Sequence, residues 1–78
     1  MSAIETYDQV FCDAFEIDRD ALAGLEYQGI PEWDSVGHMA MTAMLEEAFD
    51  IMMDTDDIID FSSYEKGKEI MRKYGVEL

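Results

Sequence analysis

The feature that most limits what this chain can fold into is a break in its apolar periodicity. Helical spacing holds near both ends and fails over one long stretch between the first two predicted helices. Ile4, Tyr7, Phe11, Ala14 and Phe15 recur at i, i+3 and i+4, which predicts an amphipathic helix over about residues 3–16. From Ile17 to Asp34 no period holds, and Gly24, Gly29 and Pro31 punctuate a segment that is still apolar at Leu22, Leu25, Tyr27, Ile30 and Trp33. That pattern predicts a long ordered loop laid on the core. Connections beyond about 15 residues are unusual in a compact domain and more often functional than accidental.

Periodicity returns after the loop. Asp34 and Ser35 are both N-cap types, and behind them Met41, Leu45 and Phe49 recur every fourth residue beside Met44 and Ala48, so a helix is predicted from about Ser35 to Phe49. Asp54 to Asp60 reads as a short helical turn capped by Thr55, with Ile58, Ile59 and Phe61 inward. Ser62 with Glu65 forms a capping-box pattern ahead of Tyr64, Ile70, Met71 and Tyr74, and Gly75 follows as a C-cap. No segment has a strand period. The expected fold is all-α: a small four-helix bundle of three longer helices and one short one, up-and-down with one crossover, forming a single domain over residues 1–78.

Size and charge narrow the function. A 78-residue domain buries only about 60% of its unfolded surface, leaving no room for an enclosed active site, so no enzyme is expected. The net charge of −14 opposes nucleic acid and anionic membrane surfaces. Residues 1–65 hold 17 acids and one base, whereas 66–78 hold Lys66, Lys68, Arg72 and Lys73 against two acids, so the last helix is the one basic element. Hydrophobic residues at 49% are too many for a disordered acidic tail. One cysteine, Cys12, and one histidine cannot build a disulfide or a Cys/His zinc set, and the reducing cytoplasm is the expected compartment. Met1 to Gln9 is acidic where a secretory leader would be basic, and no apolar run approaches the roughly 20 residues that span a bilayer.

The most informative stretch is Trp33-Asp34-Ser35-Val36-Gly37-His38-Met39, which sets a hydroxyl at the start of an amphipathic helix. Unpaired N–H groups and the helix dipole favour an anion there by roughly 0.3–1 kcal/mol. Taken alone, the dipeptide is more simply an N-cap. His38, one turn after Ser35, invites a nucleophile–base pairing, but nothing supplies an orienting acid or oxyanion hole, so a solvated or partner-touching histidine is expected. A nucleophile elbow fails because Trp33 stands where a glycine is required and no strand precedes it.

The whole arrangement is more specific: Asp-Ser-aliphatic opens the second helix, follows a long apolar loop, and sits mid-chain in an acidic sequence of 78 residues. It resembles the acyl carrier protein family over essentially its full length, and Glu46-Glu47-Ala48-Phe49-Asp50 looks like that family's acidic–aromatic helix end. The resemblance implies that a phosphopantetheinyl transferase joins 4'-phosphopantetheine from coenzyme A to Ser35, with magnesium on the transferase and Asp34 as the motif's acid. It further implies that a loading ligase puts an acyl or aminoacyl group on the arm as a thioester, that synthase or acyltransferase enzymes receive it, and that the carrier works as a monomer.

In that family the second helix and the loop before it form the docking surface, so the resemblance implies Glu32, Asp34, Glu46 and Glu47 as acids for basic partners. Val36, Met39 and Ala43 share one side of the helix, either as an apolar docking patch or, for Met39, as part of the core. Fatty-acid carriers have acids soon after the serine where this chain has Gly37 and His38, which favours a specialised biosynthetic pathway over housekeeping fatty-acid synthesis. The rival of another class is a non-covalent acidic helical interaction module.

Several other residues have plainer readings. Met41, Met44, Met52, Met53 and Met71 read as adaptable core filler, Trp33 as a staple on the helix start, and Cys12 as a small buried hydrophobe. Asp54, Asp56, Asp57 and Glu65 mimic part of a calcium loop, but Ile58 and Ile59 occupy a ligand and the turn glycine position, leaving solvated acids or a weak surface cation site.

Overall fold

The structure, a computed structural model, describes residues 2–78; Met1, the first residue of the acidic N-terminal stretch, lies outside them. Four α-helices make the fold: α1 (Ala3–Phe15), α2 (Ser35–Phe49), α3 (Thr55–Asp60) and α4 (Tyr64–Lys73), with a single 3₁₀ turn at Arg19–Ala21 in the long first connection. Among the described residues there is no strand, only one isolated bridge between Glu26 and Ser63. The all-α expectation of three longer helices, one short one and a long first loop is what the chain adopts.

The helix ends follow local chemistry. Ser2 Oγ accepts from Glu5 N–H and opens α1, while α1 and α2 stop at left-handed residues, Glu16 (φ 54°) and Asp50 (φ 53°). α4 opens one residue later than the predicted capping box: Ser63 Oγ accepts from Lys66 N–H at 2.9 Å. Ser62 is engaged elsewhere, its carbonyl accepting from Tyr27 N–H at 2.9 Å, which ties the loop to the start of α4. Glu65 pairs with Lys68 instead of closing a box.

An aromatic cluster fills the core. Phe11 lies at its centre, with the rings of Tyr7, Tyr64, Trp33, Phe15 and Phe61 between 4.9 and 6.0 Å away. α1 packs chiefly on α2, and α4 closes the other side, where Tyr7 Oη donates to the Tyr64 carbonyl at 2.7 Å. Burial pushes the Tyr7 hydroxyl well above the usual phenol range, so it stays protonated and donating.

Gly67 permits this close approach. A methyl group there would lie 2.2 Å from both Phe61 Cζ and Tyr7 Oη. Alanine in mid-helix ordinarily gains about 1 kcal/mol over glycine, but overpacking a core typically costs 1–3 kcal/mol. Gly67→Ala is therefore expected to lower the urea midpoint, the reverse of what helix propensity alone requires.

Two inward assignments are corrected. Ile59 is 71% exposed and Met52 87% exposed. A helix as short as α3 turns only part of its girth to the core, and Met52 sits in the connection between α2 and α3. Cys12 is half-buried.

Asp57 is buried, not solvated. Its carboxylate takes Lys73 Nζ at 2.5 Å and the Tyr74 hydroxyl, and Tyr74 Oη in turn accepts from Asp54 N–H at 2.9 Å, which fastens α3 to the end of α4. Among the described residues no group of three or more His, Cys, Asp or Glu is placed to hold a metal ion.

The Lys73 and Tyr74 hydrogen bonds hold the Asp57 carboxyl below its ordinary value. A lowered carboxyl stabilises the fold above its unfolded pKa of about 4, and the contribution is lost as pH falls through the folded value. Asp57→Asn is expected to lower the melting temperature at neutral pH, and the gap from wild type should close below about pH 4. Melting curves across pH check this; a gap that is constant from neutral to acid would contradict the ionic account.

Candidate functional site

The loop between α1 and α2 delivers the site. Leu22 and Leu25 are buried, Gly24 takes a positive φ of 76°, and Tyr64 N–H donates to the Leu25 carbonyl at 2.9 Å. Further along, Gln28 N–H donates to Trp33 O at 2.9 Å and Trp33 N–H to Ile30 O at 3.1 Å, which folds residues 28–33 into a tight bend. Trp33 is fully buried, stacked on Phe15 at 5.1 Å and edge-on to Phe11 at 5.5 Å. The expected staple is thus an anchor at the centre of the core.

Directly after this anchor the chain returns to the surface. Asp34 is the N-cap of α2, its Oδ1 accepting from Gly37 N–H at 2.8 Å. Ser35 is the first residue of α2 and is exposed. Because Asp34 supplies the cap, the Ser35 hydroxyl is not needed to start the helix, and the bland N-cap explanation of Ser35 falls away.

His38 is not the solvated histidine that the sequence suggested. It is 9% exposed, and Trp33 Nε1–H donates to its Nδ1 at 2.9 Å while its Nε2 lies 2.7 Å from the Ile58 carbonyl. An indole N–H can only donate and a carbonyl can only accept, so the ring is neutral with its proton on Nε2. One imidazole thereby links the loop, α2 and α3. Only half of this signal was in the sequence: a buried tryptophan N–H requires an acceptor, but Glu32, Asp34 and Ser35 stand closer along the chain and are equally able to accept.

Gly37 is equally constrained. A methyl group there would lie 2.0 Å from the Glu32 carbonyl, so the loop backbone passes against the first turn of α2. Gly37 and His38 therefore build the junction that presents Ser35.

The remaining candidates separate cleanly. Val36 (77% exposed), Met39 (57% exposed) and the exposed Ala43 follow i, i+3, i+7 and make an apolar stripe on the outer side of α2. Met39 does not complete the core; Met41, Thr42 and Leu45 do, from the opposite side. Glu32 and Glu47 are exposed. Glu46 is half-buried, and its Oε2 accepts from Met53 N–H at 2.9 Å, so it also shapes the turn after α2.

Two electrostatic influences meet at the helix start. The first intrahelical bond is His38 N–H to Asp34 O at 2.8 Å, so the N–H groups of Ser35 and Val36 precede it and point out of the helix end. Their dipole favours an anion by roughly 0.3–1 kcal/mol, and the neighbouring Asp34 carboxylate opposes one by about 1 kcal/mol at 4 Å in water. The two effects are of similar size and opposite sign.

No protein-family model and no curated protein matches the chain. Among the described residues no helix is long and apolar enough to cross a membrane.

Proposed function

We propose that this chain is an acyl or aminoacyl carrier whose Ser35 is the attachment point of 4'-phosphopantetheine. The observation that carries the proposal is the division of labour in three consecutive residues: Trp33 anchored in the core, Asp34 capping α2, and Ser35 exposed with its hydroxyl free of structural duty. A phosphopantetheinyl transferase would bond Ser35 Oγ to the phosphorus carrying the pantetheine of coenzyme A as the pyrophosphate bond breaks, the adenosine bisphosphate leaves and the hydroxyl proton passes to the transferase. Once attached, the arm supplies a thiol that holds cargo as an activated thioester. The chain's own contribution is presentation: a fixed helix end, and a tether that raises the cargo's effective concentration at each docked enzyme.

The apolar stripe of Val36, Met39 and Ala43 beside Ser35, rimmed by Glu32 and Glu47, is the surface on which the transferase, a loading ligase and receiving synthases or acyltransferases would dock. Gly37 and His38, standing where fatty-acid carriers have acids, favour a specialised pathway over housekeeping fatty-acid synthesis, and the carrier would work in the cytoplasm as a monomer. Intact-protein mass after incubation with coenzyme A, magnesium and a broad-specificity transferase tests the proposal: one phosphopantetheinyl addition is expected. An unmodified chain that still captured a basic helical partner would instead support the interaction module.

A further inference from the structure

A recess of about 260 Å³ opens between the loop, α2 and the α3–α4 segment, lined by Tyr27, His38, Ile59, Phe61 and Ser62. We propose that this recess receives the acyl end of the Ser35 arm and selects a compact, ring-bearing acyl group over a long straight chain. The inference rests on the carrier reading and names its cargo class.

Position supplies the first argument. His38 lies one turn beyond Ser35 on the same side of α2, about 4.5 Å along the helix axis. The arm is longer than one helical turn, so it would fold back along the surface to seat its end there.

Size and wall chemistry supply the second. A cavity of about 150 Å³ suffices for benzene, and drug-sized ligands take about 300–1,000 Å³, so 260 Å³ admits one ring and a short linker. The His38 ring stands 5.5 Å from Tyr27 at 75° and 6.1 Å from Phe61 at 72°, an edge-to-face array that a further ring can join. Ile59, 71% exposed at the rim, gains apolar cover from such a cargo.

Closure at the back supplies the third. Both His38 nitrogens are bonded, to Trp33 and to Ile58 O, and the fully buried Trp33 and Phe61 stand behind. A long chain could pass through this recess into the bundle only by breaking those bonds.

The test loads the chain with phenylacetyl-, hexadecanoyl- and unacylated pantetheine arms from the matching coenzyme A thioesters, then compares NMR signals of the Ile59 methyls and the Tyr27 and Phe61 rings. Ring-current shifts with the phenylacetyl arm, and signals at their unacylated positions with the hexadecanoyl arm, are expected. Phenylacetyl signals that match the unacylated chain, or hexadecanoyl shifts of equal size, would overturn the inference while leaving the carrier reading intact. Absence of any mass gain would remove both.

Discussion

Trp33→Ala is expected to leave the chain without a fixed tertiary structure at physiological temperature. Removing a fully buried tryptophan typically costs 3–5 kcal/mol, and here it also strips His38 Nδ1 of its donor, worth about another 1–3 kcal/mol for a buried group left unpaired. A domain of 78 residues has only about 4–12 kcal/mol in total, from roughly 0.05–0.15 kcal/mol per residue. The loss is therefore comparable to the whole. Near-ultraviolet circular dichroism and NMR dispersion should collapse, while Trp33→Phe, which keeps a ring but loses the indole N–H, should remain folded with a lowered midpoint. Retention of native dispersion by Trp33→Ala would show that the junction is held by something other than this anchor.

The second large effect concerns chemistry with almost no effect on stability. Ser35→Ala should abolish phosphopantetheine loading altogether, because no other residue is offered at the tip of α2 in the same way. Its melting temperature should stay close to wild type, since Ser35 is exposed, Asp34 provides the cap, and surface changes away from such features usually fall within about 0.5 kcal/mol. This separation is what distinguishes a functional serine from a structural one. A cap serine would lose about 1 kcal/mol on truncation, and Ser35 is expected not to.

Much of this was legible in the chain. The stripe from Ile4 to Phe15 and the four-residue recurrence of Met41, Leu45 and Phe49 fix α1 and α2 because each is a local pattern with a cap at its start. The apolar residues of the long loop pointed to an ordered segment on the core, as Leu22, Leu25 and Trp33 confirm by their burial. What escaped depends on contacts between distant residues. Gly67 matters because Tyr7 and Phe61 meet it across the core, and Asp57 because Lys73 and Tyr74 reach it from the last helix. His38 looked like a solvated residue because its acceptor role is visible only once Trp33 is seen to point inward. The cap of α4 moved from Ser62 to Ser63 because pairing with Tyr27 claimed the first serine's backbone.

The outer stripe of α2 follows a different logic. A helix that served only to fold would show polar residues opposite Met41 and Leu45, but Val36 and Met39 stand there in water. If the chain is a carrier, these exposed apolar groups beside the serine are where enzymes would meet it transiently, with acids at the margin steering the encounter more than holding it.

The most direct measurement is fragmentation mass spectrometry of the chain after treatment with coenzyme A, magnesium and a broad-specificity phosphopantetheinyl transferase. A single phosphopantetheinyl group located on Ser35, and missing from a folded Ser35→Ala, is the predicted result. A chain that remains unmodified, or carries the group on any other residue, would contradict the claim that the start of α2 exists to present this hydroxyl.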